Sequence, residues 1–187
     1  MGCLLNTLFC FSLGSYGEVF EYVDRDTKFA FAIKHISIPS ENLISSQVRK
    51  EIEINRKVNH EHVVKFYNVY LVPKQSVSIV MEFMANGSLK QRLNDLEAEK
   101  GNIAGTSLMD NSEILRMSYE VAKGLRYLHN ERIVHRDIRS ANILLTSDDS
   151  CKIGDFGISA EINFLAMKSG KNCSYIPLFL YPLSKSS

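Results

Sequence analysis

The sequence predicts an α+β fold in two parts: an antiparallel five-stranded sheet with one helix, then a mostly helical part. Three observations carry this. Five apolar runs of strand length lie between Leu4 and Phe83, with one helical pattern between the third and the fourth. After "MANGS" the composition changes to helix formers. From Asn163 onward neither a two-residue nor a 3.6-residue period persists.

Taken in order, the strand runs are "LLNTLFCFSL", "GEVFEYV" and "FAFAIKHI", with the polar turn "DRDTK" before the third, an antiparallel meander. Pro39 and Ser40 then open a helical pattern in which Ile44, Val48 and Ile52 share a face with Glu51 beside them. "HVVKFYNVYLV" and "VSIVMEF" read as the fourth and fifth strands around "PKQS". "LKQRLNDLEAEK" is a short helix and "GNIAGTS" a loop. "DNSEILRMSYEVAKGLRYLHN" is a strong amphipathic helix, with Asp110 and Glu113 at capping-box spacing. Its stripe of Ile114, Met117, Val121, Leu125 and Leu128 demands a partner surface. "NILLT" and "CKIGDF" form a hairpin across "SDDS". Pro177 and Pro182 interrupt the last apolar run, and no internal repeat is present.

Totals exclude several classes. The 187 residues carry a formal charge of +1, so no overall field argues for nucleic acid or an anionic membrane. No apolar run is long enough to cross a bilayer. Cys3, Cys10, Cys151 and Cys173 are widely separated, which fits neither a disulfide framework nor a zinc site and points to a reducing, intracellular setting. Gly2 and Cys3 invite a lipidation reading, but Asn6 stands where that pattern wants Ser or Thr, and a buried strand is the simpler reading. His60, His62, His129 and His135 are read as solvated or structural rather than as a metal cluster.

The chemistry is concentrated in a few places. In "SLGSYGEVF", Gly14 and Gly17 let backbone N–H groups approach a bulky anion, although a plain hairpin turn explains such a loop equally well. Lys34 ends an alternating strand and Glu51 lies on the next helix, the order a phosphate clamp requires. "HRDIRSAN" puts Asp137 and Asn142 five residues apart on one loop, and "DFG" puts Asp155 beyond a hairpin that folds back toward them. An acceptor for a hydroxyl proton, an amide oxygen and a second carboxylate suit phosphoryl transfer, where catalysis is mainly positioning and charge neutralisation.

From about Leu13 to Ile162 these motifs, with "GSYGEV", "AIK" and "MEFMANGSL", make the chain resemble the eukaryotic protein kinase domain. "MEFMANGSL" and "DFGISAEI" are most similar to serine/threonine kinases of the MAP-kinase-cascade and tyrosine-kinase-like groups. The resemblance implies a two-lobe kinase fold: an N-lobe over 1–84, a partial C-lobe over 85–162, and an atypical tail over 163–187 expected to be disordered. It implies Asp137 as catalytic base, Arg139 beside it, Lys34 on the α/β-phosphates and Glu51 as its ion-pair partner. Asn142 and Asp155 would hold magnesium. Leu13, Gly14, Ser15 and Gly17 would cover the phosphates of ATP; Val19, Ala32 and Leu144 would sandwich adenine. Met81 would be the gatekeeper, with backbone groups of Glu82 and Met84 meeting the ring. The implied partners are ATP, Mg2+ and a protein substrate, in the cytoplasm.

Departures qualify this. Ser12 stands at the first loop glycine. Arg139 occupies a position where serine/threonine kinases usually carry lysine and some tyrosine kinases carry arginine, so the substrate hydroxyl stays open. Asn55 falls in a stack that is apolar in the family, where an unpaired amide would cost about 1–3 kcal/mol. Arg136 resembles an activation-loop phosphate receptor, yet Ser159, Ser169, Ser174 and Tyr175 lie in no segment resembling that loop. The tail matches nothing in the family's plan, so the long helix is expected to lack its usual covering and to take a protein partner, and little phosphotransfer is expected of the chain alone. A nucleotide-binding or scaffold fragment without catalysis is the alternative.

Overall fold

The computed structural model describes residues 5–14, 17–38, 45–72, 76–100, 108–157 and 159–161, of which 5–14 and a few terminal positions are described by backbone alone. A five-stranded antiparallel sheet has the order β1-β2-β3-β5-β4, formed by β1 (Leu5–Gly14), β2 (Gly17–Asp24), β3 (Ala30–Ser37), β4 (Phe66–Val72) and β5 (Ser76–Glu82). Gly14 pairs with Gly17 where β1 meets β2. The "DRDTK" turn is built on Asp24, whose carboxylate accepts from Thr27 N at 2.8 Å and Thr27 Oγ1 at 2.7 Å.

Alternation in β3 gives the sheet two unlike faces. Ile36 faces helix α1 (Ser46–Lys57) and joins Ile52, Val77 and Ile79 in a small core, with Val48, Phe66 and Met81 packed around it. Helix α1 is described from Ser46, where the Ser45 side chain accepts from Val48 N; Pro39 and Ser40, where the sequence opens the pattern, lie outside the described residues. Ile44 of the expected stripe also lies outside the described residues, and Val48 and Ile52 are its described members.

The second part is built from α2 (Leu89–Lys100), α3 (Asn111–Asn130), β6 (Ile133–Val134), β7 (Ile143–Leu145), β8 (Cys151–Ile153) and β9 (Ala160–Glu161). β7 and β8 form the expected hairpin. β6 pairs with β9, a pairing of two-residue strands too short for a periodic pattern to announce. Met117 and Leu128 of α3 are buried against Ile133, Leu145, Cys151 and Ile153, with Val121 and Leu125 partly buried beside them. The stripe is therefore covered from within the chain by β8, contrary to the expectation of a lost partner. What stays open is its first member, Ile114, with Leu115 and Tyr119.

Two further expectations change. The fourth strand starts at Phe66, not at His62. Residues 62–64 instead run beside β8: Ile153 N donates to His62 O at 3.0 Å and Val64 N to Ile153 O at 2.9 Å. The Asp110–Glu113 capping box does not form. Asp110 accepts from Ser112 N, while Glu113 reaches across to Arg92 at 2.7 Å, because a charge-assisted bond is there to be made. "GNIAGTS", the loop residue Ser15, the N-terminal Gly2 and Cys3, and the tail from Ile162 lie outside the described residues. No helix among those described is long and apolar enough to cross a membrane.

Candidate active site

Between the two parts lies a cavity of about 640 Å³, within the range of small-ligand sites. Val19 and Ala32 line it from the sheet, and Leu144 of β7 lines it from the other part. Met81, Glu82 and Met84 form its rear wall, and Lys34, Glu51, Asn142, Asp155 and Arg139 its polar end. Eleven of the residues singled out by sequence thus line one space. Asp137 sits next to it, held by Asn142. Leu13, Gly14 and Gly17 are described by backbone only, at the β1–β2 turn.

The polar end is built around Lys34. Register places it opposite Ile79 of β5, on the face toward α1. Its Nζ donates to Glu51 Oε1 at 2.7 Å and to Asp155 Oδ1 at 3.1 Å. Lys34 and Glu51 side chains are only 7% and 4% exposed. Burial alone would lower the ammonium's pKa, but the two carboxylates outweigh it and hold Lys34 above its ordinary value. A cation is thereby kept charged in a nearly dry wall.

The segment that carries Asp137 and Asn142 follows β6. Asn142 is buried, in a short 3-10 turn (Ser140–Asn142). Its Nδ2 donates to Asp137 Oδ2 at 2.7 Å and to the Asp137 carbonyl at 2.9 Å. The amide oxygen is then turned away from Asp137. Arg139 Nε donates to the same Oδ2 at 3.1 Å from an exposed position. His135, fully buried, fastens this loop to the next. It accepts from Asp137 N at Nδ1 (3.3 Å), which leaves Nε2 as the donor to Gly154 O (2.8 Å). Asp155 itself has φ +61, a left-handed conformation that aspartate tolerates better than most residues.

Asn55 is buried near Phe156 but is not unpaired: its Nδ2 donates to Glu51 O at 2.9 Å. The expected penalty for an orphaned amide donor does not apply. Phe156 and His135 rings lie 5.3 Å apart, completing the packing behind Asp155. His62 and His60 have structural partners. His62 Nδ1 bonds with Cys151 O at 3.0 Å, and His60 stacks on Tyr127 at 4.8 Å.

Three contacts were not read from sequence. Glu82 accepts from Lys152 Nζ with both oxygens at 2.8 Å, tying the rear wall of the cavity to β8. Buried Glu120 of α3 accepts from Cys151 N at 2.7 Å and from Arg116 at 2.9 Å. Gln47 Nε2 donates to Gly157 O at 2.8 Å. Apart from the Arg116–Glu120 pair, four residues apart on α3, they join residues far apart in sequence, so no local period marks them.

For a divalent cation, Asn142 and Asp155 offer hard oxygen donors at one end of the cavity, a fit for magnesium completed by phosphate oxygens. Among the described residues no three His, Cys, Asp or Glu side chains cluster to hold a metal by themselves.

The family model for the protein kinase domain matches residues 12–173. The chain belongs to the protein kinase family. The match runs past Ile162, further than the motifs alone carried the resemblance. Among its relatives, this kinase-family chain is 36% identical over 169 residues to Mitogen-activated protein kinase kinase 8 of Arabidopsis thaliana, covering 90% of this chain and 48% of that one. It is 37% identical over 156 residues to Protein-tyrosine kinase 6 of Homo sapiens, covering 82% of this chain and 32% of that one. It is 35% identical over 149 residues to Serine/threonine-protein kinase 1 of Arabidopsis thaliana, covering 80% and 17%. Further kinase relatives, from Dictyostelium discoideum, are also named as serine/threonine-protein kinases. The chain spans about half the length of the first relative and less of the others.

Proposed function

We propose that this chain carries the nucleotide site and catalytic loop of an ATP-dependent protein kinase acting on serine or threonine hydroxyls. The observation that supports it most is Lys34 Nζ bridging Glu51 and Asp155 at the polar end of the cavity. In this reading residues 1–84 form the lobe above the nucleotide and 85–162 the part below it. Adenine lies between Val19, Ala32 and Leu144, beside Met81, with Glu82 and Met84 backbone groups at its edge. Lys34 binds the α/β-phosphates as a point charge oriented by Glu51, and the backbone of Leu13, Gly14, Ser15 and Gly17 covers them. Asn142 and Asp155 hold magnesium, which neutralises charge on the phosphates. Asp137 accepts the proton of the substrate hydroxyl as its oxygen bonds to the γ-phosphorus and the bond to ADP breaks. Arg139 steadies Asp137 and the incoming phosphate.

The serine/threonine assignment draws on the names of the relatives; Arg139 is the residue that argues for tyrosine. The cytoplasm, with its ATP and protein substrates, is the setting this reading implies. A second reading, nucleotide binding without phosphotransfer, is favoured by the open Ile114, Leu115 and Tyr119 on α3, a surface that a protein partner would cover.

Thermal melts with increasing Mg·ATP test the site, because a ligand of the folded state alone raises Tm with its concentration. Lys34→Met should abolish most of the shift. Labelled phosphate transfer to a general protein substrate, set against Asp137→Asn, separates the two readings: transfer lost in the variant supports the kinase, and binding without transfer supports the second.

A further inference from the structure

We infer that Gln47 is a positioning residue for Asp155, fastening the loop that carries this carboxylate to helix α1. The inference rests on the nucleotide-site reading above. Gln47, Glu51 and Asn55 are four residues apart along α1 and so share one face. That face reaches the polar end of the cavity at successive heights: Gln47 at Gly157 O of the other part, Glu51 at Lys34 of β3, and Asn55 among the cavity-lining residues with Phe156.

Asp155 needs such support. Its left-handed backbone is a conformation that surroundings must impose. Two bonds hold the carboxylate: Lys34 Nζ at 3.1 Å and Gly157 N at 3.3 Å. The second helps only while the backbone on both sides of Gly157 is fixed, the peptide before it carrying the N–H and the peptide after it the carbonyl. Gln47 Nε2 bonds the carbonyl of that same residue from outside the loop. Ser159 holds the peptide that carries the Gly157 N–H, donating from N to Phe156 O at 3.0 Å, and ties the loop to His135 O through Oγ at 3.1 Å. The position of α1 is thus transmitted to Asp155 along two routes, Glu51–Lys34 and Gln47–Gly157. The first is charged and buried; the second is a neutral amide bond on a more exposed residue and is the adjustable one.

The role predicts which equilibrium moves. Lys34 meets phosphate without metal, whereas Asp155 acts through magnesium. Loss of the Gln47 donor should therefore weaken magnesium's contribution and spare metal-free nucleotide binding. The test is nucleotide-induced stabilisation of the full chain, measured with ATP in EDTA and across a magnesium titration. Gln47→Glu keeps the shape but presents an acceptor to the Gly157 carbonyl; Gln47→Leu removes the amide; Gln47→Lys restores a donor. The magnesium midpoint should rise about threefold to tenfold in the first two, as for one lost hydrogen bond. It should return to within about twofold of the parent in Gln47→Lys, with affinity in EDTA unchanged throughout. Unchanged magnesium midpoints, or equal losses with and without metal, overturn the inference alone. A folded parent chain that Mg·ATP does not stabilise overturns it together with the nucleotide-site reading.

Discussion

Asp137 N–H donates to Nδ1 of His135 at 3.3 Å, so the ring that anchors the loop carrying Asp137 and Asn142 must lack a proton at that nitrogen. Burial holds the His135 pKa below its ordinary 6.5. In the unfolded chain the imidazole takes up its proton near that ordinary value, and in the folded chain only at lower pH. Between the two the unfolded state binds more protons, so stability rises with pH across the window and is lost as pH falls through it. His60 and His129 shift in the same direction. Urea midpoints should fall between about pH 7 and pH 5, with a shallower slope in His135→Asn. Equal slopes would show that His135 is not held neutral by the fold.

Lys34 and Glu51 form an ion pair almost sealed from water. Removing one partner from such a pair strands the other, at a cost of about 3–5 kcal/mol. Lys34→Met should lower stability by an amount at the bottom of this range, since Glu51 can be protonated. Adding Glu51→Gln should then recover part of the loss. Denaturant melts of the two single variants and the double variant measure the coupling, and strictly additive losses would contradict it.

The parts legible in sequence were those with a strong local period or a dense motif. β3 and β5 alternate, and α2 was bounded at Leu89 and Lys100 by the change in composition. The polar end of the cavity was legible because Lys34, Glu51, Asn142 and Asp155, with Asp137 beside it, lie in motifs whose order is itself a constraint. Illegible features depended on tertiary neighbours. His62–Val64 has strand-like residues, but its partner is β8 rather than β5. Asn55 looked costly because its backbone acceptor, Glu51 O, is invisible in a pattern of side chains. Gln47 and Gly157 are 110 residues apart.

Gly124 of α3 packs tightly against the His62 backbone and Ile153 of β8. A Cβ there would meet the His62 carbonyl at 2.7 Å and Ile153 Cδ1 at 2.9 Å. Helix propensity favours Gly→Ala by about 1 kcal/mol. The clash is with backbone, which cannot rotate away, so overpacking of about 1–3 kcal/mol should win. Gly124→Ala is expected to lower Tm, whereas Ser118→Ala on the exposed side of the same helix should hold or raise it. A stabilised Gly124→Ala would mean that the α3–β8 spacing is looser than described.

Asn142 does two jobs in the proposed mechanism, and two substitutions separate them. Its Nδ2 bonds fix Asp137, and its oxygen is a proposed magnesium donor. Asn142→Ala removes both. Asn142→Asp keeps an oxygen donor but sets a second carboxylate about 3 Å from the Asp137 carboxylate, where like charges raise the pKa of the pair. Magnesium-dependent stabilisation by ATP should be weakened by Ala and retained by Asp. Phosphate transfer should fall in both, by about a hundredfold or more, since Asp137 is displaced in one and partly protonated in the other. In Asn142→Asp the remaining activity should rise toward higher pH as the pair loses its shared proton. Single-turnover transfer across pH, alongside magnesium titrations, checks both arms. Transfer preserved in Asn142→Asp with a flat pH profile would mean that the Nδ2 bonds to Asp137 do not position the base.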